Sequence, residues 1–184
     1  MAHLVLCRHL RPDEYTRMLS AADGNARDYA ILQLFLQTGI RVSELANLRL
    51  AHPDLPARTL LIEHGKGDKD RVIDLERKAI QALKNYLTVR GDVLDDRLFL
   101  NYKGEGITDR GVKKIVEKYR VAAGITKQVS CHSLRHTFGT YKAEQGVSAF
   151  QLQQWPGHSS IQTTAIYVHM GRTNARKVME AMSL

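Results

Sequence analysis

The stretch NARDYAILQLFLQTG, residues 25–39, limits what this chain can fold into more than any other. As a helix it carries apolar residues on most of its faces, so it has to be enclosed by other elements rather than laid on a surface. Gly39 marks its end, because helix C-termini favour a residue that tolerates the left-handed conformation. A chain of 184 residues is long enough to enclose such a helix within one domain of ordinary size.

The flanking sequence supplies the cover. RPDEYTRMLSAA (11–22) reads as a first helix, with Pro12 and two acids in its opening turn, where both are favourable. RVSELANLRL (41–50) starts a short helix that Pro53 and Pro56 keep from running on. In TLLIEHGKGDKDRVIDL (59–75) two β-prone runs flank a charged, glycine-rich turn, the signature of a hairpin. Helical spacing returns in ERKAIQALKNYLTVRG (76–91), and RLFLN (97–101) reads as a short strand. Further helices are expected over 108–124, 130–146, 148–155 and near 173–183. The predicted fold is α+β and mainly helical, with one small antiparallel sheet.

Composition narrows the function classes. The net charge of +8 and pI near 9.6 point to a polyanionic partner. No apolar run approaches the roughly 18 residues of a membrane helix. Arg8 and His9 break the only apolar patch at the N-terminus, which makes a poor signal peptide. Cys7 and Cys131 have no metal-like spacing; a disulfide is open to them, but reduced thiols in a cytosolic protein are the expectation.

Four clusters carry unusual polar residues. In HSLRH, His132, Arg135 and His136 fall at i, i+3 and i+4, so a helix projects them together. Three such heads suit a phosphate. Zinc is disfavoured, since Ser133 occupies the position where the H-E-x-x-H pattern needs glutamate. In TGIRVSEL, Arg41 follows the helix-ending glycine and is expected near the next helix start, where backbone N–H groups and a guanidinium can face one anion. The alternative is a surface arginine paired with Glu44. In GKGDKDR, Lys66 lies between glycines without Walker A spacing; it is either a solvated hairpin tip or a mobile proton donor. In GHSSIQTTAIYVH (157–169), His158 follows a glycine and Tyr167 comes nine residues later, either as packing or as a nucleophile.

Together the clusters offer two arginines, a lysine, histidines and a tyrosine, and no acidic cluster suited to a metal. Phosphoryl transfer at a DNA backbone needs a nucleophile, charge stabilisation and a proton for the leaving oxygen. With no metal site, the positive charge has to come from side chains. TGIRVSELANL, GKGDKDRVIDL, HSLRHTFGT and GHSSIQTTAIYVH stand in the order and with the separations of one family. The chain resembles the catalytic domain of the tyrosine recombinase (phage integrase) family, over nearly its whole length.

The resemblance implies a set of roles. Tyr167 is the nucleophile that forms a 3′-phosphotyrosyl link, and Arg41 and Arg135 clamp the non-bridging oxygens. His158 adds a donor to the phosphate, Lys66 protonates the leaving 5′-oxygen, and His132 assists proton transfer from the phenol. Apart from the resemblance, Lys69, Arg71 and Lys113 read either as contacts to the DNA backbone or as solvated surface. The resemblance further implies double-stranded DNA as partner, no cofactor, no membrane, and a cytoplasmic protein that associates with the nucleoid on DNA. It implies a homotetramer on two DNA sites and a monomer or weak oligomer when free. Residues 1–184 are expected to form a single catalytic domain, with 171–184 docking on a neighbouring protomer or capping its own. The family's N-terminal core-binding domain is expected to be absent from this chain. Type IB topoisomerase-like relaxation and a catalytically decayed DNA-binding module are the alternative functions.

Two positions depart from the family pattern. Pro156 stands where a leucine usually precedes the Gly-His pair; it removes a backbone donor and restricts Trp155, so the preceding helix should end early. The placement of His158 depends on that ending. Cys131 replaces a proline common before the H-x-x-R box, a change expected to be tolerated.

Overall fold

In a computed structural model, which describes residues 9–63 and 69–146, the enclosed helix runs over Ala26–Thr38. It is α2, preceded by α1 (Pro12–Ala22) and followed by α3 (Val42–Ala46), α4 (Arg77–Val89), α5 (Asp109–Ala122) and α6 (Cys131–Glu144). A three-stranded antiparallel sheet of β1 (Pro53–Asp54), β2 (Thr59–Ile62) and β3 (Arg71–Asp74) lies between α3 and α4 in the chain.

The chain divides into two compact units, Met1–Thr137 and Phe138–Leu184. In the first, α1, α4 and α5 all pack on α2. Ala30, Ile31, Leu32, Leu34 and Phe35 of α2 are wholly buried. Each large apolar side chain so enclosed contributes roughly 1.5–3 kcal/mol. α5 buries Val112, Ile115, Val116 and Tyr119, the i, i+3, i+4, i+7 stripe of an amphipathic helix. Leu134 carries the opening of α6 into the same core. Of the second unit, residues 138–146 are described: they complete α6, and Lys142 Nζ lies 6.0 Å from the centre of the Phe138 ring.

β2 pairs with β1 through Pro53↔Leu60 and with β3 through Leu60↔Ile73 and Ile62↔Arg71. Leu60 and Ile62 are buried, so their partners Ile73 and Arg71 share the inward face of the sheet. β2 and β3 flank the segment holding Lys66, which lies outside the described residues. β1 was not expected from the sequence, because Pro53 reads as a helix stop; proline is tolerated at the first residue of an edge strand. Residues 97–101 form no regular strand. They bend between two single bridges, Arg49↔Arg97 and Leu100↔Gly106, and bury Leu98, Phe99 and Leu100. The expected helices over 148–155 and 173–183, and the segment 171–184, lie outside the described residues. Among the described residues no helix is long and apolar enough to cross a membrane.

Candidate active site

The end of α2 organises the site. Gly39 takes φ 60°, ψ 26° and donates its N–H to the Phe35 carbonyl, closing the helix in the left-handed conformation that glycine adopts without a Cβ clash. Ile40, 1% exposed, anchors the turn in the core. Arg41 follows in an extended conformation as the N-cap of α3, the position expected for it.

Glu44, one turn into α3, meets Arg41 twice. Its Oε2 accepts the Arg41 backbone N–H at 2.9 Å, and its Oε1 accepts Arg41 Nη1 at 2.6 Å. The same carboxylate receives Arg71 from β3, Nη1 to Oε1 at 3.0 Å and Nη2 to Oε2 at 2.7 Å. These four hydrogen bonds fill the four or so lone-pair sites of a carboxylate. Burial alone would push the Glu44 carboxyl up; the Arg71 fork and the Arg41 N–H, helped by both positive charges, outweigh it and hold it below the usual glutamate value. Two guanidinium groups to one carboxylate leave one positive charge over.

Of the two alternatives for Arg41, the pairing with Glu44 is present, yet only one end of its fork is engaged. Its side chain is 29% exposed, and neither Nε nor Nη2 has a hydrogen-bond partner among the described residues. The backbone N–H expected to face an anion is taken by Glu44.

α6 brings the next group. Ser130 caps it: Ser130 Oγ accepts the Ser133 N–H, and Ser133 Oγ accepts the Ser130 N–H. Cys131 is therefore the first helical position, where a proline is also well tolerated. Arg135, 7% exposed, donates from Nη1 to the carbonyl of Gly39. Arg41 and Arg135 are thus both tied to the three-residue turn that ends α2. His132 is exposed and His136 half-buried, with ring centres 4.4 Å apart and edge to face. The expected sharing of one face holds for the two rings, while Arg135 turns inward to the turn at Gly39.

Lys69 and Lys113 are exposed. Arg71, read with them as a contact to the DNA backbone or as solvated surface, has 14% of its side chain exposed and both ends of its fork on Glu44. Lys66, His158 and Tyr167 lie outside the described residues, as does Pro156. From the sequence alone, Glu44 reads only as a surface partner of Arg41. The signal for more was its place at the third position of a helix whose N-cap is Arg41, where a glutamate reaches back to the cap N–H.

The sequence profile of the Phage integrase family matches residues 8–173. The chain belongs to the phage integrase family. Tyrosine recombinase XerC of Thermodesulfovibrio yellowstonii is 41% identical over 152 residues, which is 78% of this chain and 50% of that protein. Tyrosine recombinase XerD of Listeria innocua is 35% identical over 180 residues, 92% of this chain and 60% of that protein. This phage integrase chain thus spans 50–60% of the length of these curated relatives. Among solved structures, XerA recombinase superposes with a TM-score of 0.84 at 33% identity, covering 100% of this chain and 67% of that one. XerH site-specific recombinase bound to palindromic difH substrate, a post-cleavage complex, gives a TM-score of 0.75 at 31% identity, covering 96% and 52%. These neighbours bear out the mainly helical α+β tyrosine-recombinase catalytic-domain fold.

Proposed function

We propose that this chain is the catalytic domain of a site-specific DNA recombinase that cuts and rejoins DNA through a 3′-phosphotyrosyl intermediate. The observation that carries the reading is the convergence of Arg41 and Arg135 on the turn at Gly39, with part of the Arg41 guanidinium unengaged. Two arginines at one rigid turn suit a phosphodiester whose non-bridging oxygens gain charge in the transition state. The XerH site-specific recombinase bound to its palindromic difH substrate supports reading double-stranded DNA as the substrate here.

In this mechanism the Tyr167 oxygen attacks the scissile phosphorus and the bond to the 5′-oxygen breaks. His132 takes the phenolic proton, Lys66 gives one to the departing 5′-oxygen, and His158 donates to the phosphate. An unperturbed phenol has a pKa near 10, so nearby positive charge is needed to favour its ionised form. The covalent link conserves the ester's free energy, and an incoming 5′-hydroxyl reverses the step without ATP. Lys69 and Lys113 lie along the DNA backbone. Four protomers act on two DNA sites, residues 171–184 docking between neighbours.

The test is covalent capture. The protein is incubated with a pool of nicked duplexes randomised on both sides of the nick, and adducts are recovered and sequenced. The wild type should trap DNA, Tyr167→Phe should trap none, and Arg41→Ala should be slower by roughly 10²–10³. Equal trapping by Tyr167→Phe removes the nucleophile assignment, and binding without any adduct favours a decayed DNA-binding module. Supercoil relaxation with no strand exchange favours the topoisomerase-like reading.

A further inference from the structure

We infer that Arg71 is a positioning residue of the phosphate site: by holding Glu44 it keeps the Arg41 guanidinium half-disengaged and positively charged toward its ligand. The inference rests on the function proposed above and concerns a residue outside the set assigned to catalysis.

The sheet register aims Arg71. Opposite the buried Ile62, its side chain leaves β3 on the inward face and reaches α3, 27 residues back in the chain. There its planar fork lies on both Glu44 oxygens, the geometry that a guanidinium makes and an ammonium cannot. Its Nε is buried with no partner among the described residues. An arginine buried at that cost and turned from solvent is poorly disposed to touch DNA, but well disposed to fix an anion.

Glu44 is where the effect arises. With Arg71 in place, Arg41 finds one lone pair of Oε1 for Nη1 and one of Oε2 for its backbone N–H. With Arg71 gone, two lone pairs fall open beside a cation with two idle donors. Arg41 then closes its own fork on Glu44, because a two-point grip on a buried carboxylate is the strongest contact within reach. That closure takes Nη2 from the phosphate and leaves a neutral pair where a net positive charge had been.

The prediction is a loss followed by a rescue. On a duplex recovered by capture, Arg71→Met should slow single-turnover cleavage by at least about tenfold at saturating DNA, the scale of a small misplacement at a reacting centre. Because the closure also takes Arg41 from the phosphate, the slope of binding affinity against salt should fall by about one. Adding Glu44→Gln to Arg71→Met removes the anion that captures Arg41, and the double variant should recover most of the lost rate. If Arg71→Met does not fold, Arg71→Lys with and without Glu44→Gln gives the same comparison, since lysine keeps the charge and lacks the fork.

Three results would overturn the inference: a position-71 variant that cleaves like the parent, a double variant as slow as the single one, or a double variant whose salt slope stays about one below the parent's. The last identifies Arg71 as a phosphate contact. A parent that forms no adduct with any duplex in the pool sinks the proposed function instead, and is recognised before any variant is made.

Discussion

Cys131 shows how opposing local effects are decided by magnitude. As the first residue of α6 it stands at a helix N-terminus, which favours a thiolate. Burial works against this and wins over the pull of its own backbone N–H and of Lys113, pushing the thiol up to about 11. The thiol is free and 7% exposed. In a Cys7→Ser protein, a disulfide reagent such as DTNB at pH 8 should therefore find no reactive thiol until denaturant is added. Stoichiometric reaction of the native protein within minutes contradicts the burial described. The site's other residues were unequally legible. Arg41 and Arg135 stand in local motifs whose spacing a reader can test along one helix. The link from Arg71 to Glu44 spans 27 residues, and the adjacent apolar pair Val72 and Ile73 gives no alternation to say which face of β3 is inward.

At the scale of elements, the end of α2 has most to do with function, because one residue serves three purposes. Gly39 closes the helix, sets Arg41 two residues on, and offers its carbonyl to Arg135. At φ 60° an alanine costs about 1–2 kcal/mol for its Cβ. Gly39→Ala should lower the urea midpoint by that energy divided by an unchanged slope, and should slow cleavage as well, since both arginines hang on the altered turn. A variant as stable as the parent means that the turn does not need the left-handed conformation. The helices were readable because their cores are local: α5 repeats its apolar positions within 14 residues, and α2 is apolar on most faces. β1 and residues 97–101 were less readable because their pairing is decided elsewhere. The segment 97–101 bonds to Leu48 on one side and Ile107 on the other, partners that no periodicity announces.

For the whole molecule, the groups displaced from their ordinary titration mark both ends of the stability profile. Glu14 and Glu44 are pushed up by burial, but the Arg11 N–H and Lys127 for one, and Arg71 and Arg41 for the other, leave both lowered on balance. A carboxyl lowered in the folded state stabilises fully above its unfolded value, near 4.3, and loses that contribution as pH falls through the folded value. Tyr86 and Tyr119 are raised, chiefly by burial, so their contribution is complete below about 10 and is lost as pH rises through their folded values. The melting temperature should be nearly flat from about pH 5 to 9, falling on both sides. Acid adds a second penalty, since a chain already at +8 gains further positive charge and repels itself. Glu44→Gln separates these effects: it should lower the plateau and make the acid limb shallower, because one of the carboxyls that takes up a proton on unfolding is gone. An unchanged acid limb in that variant transfers the acid sensitivity to overall charge and removes Glu44 from the groups that govern it.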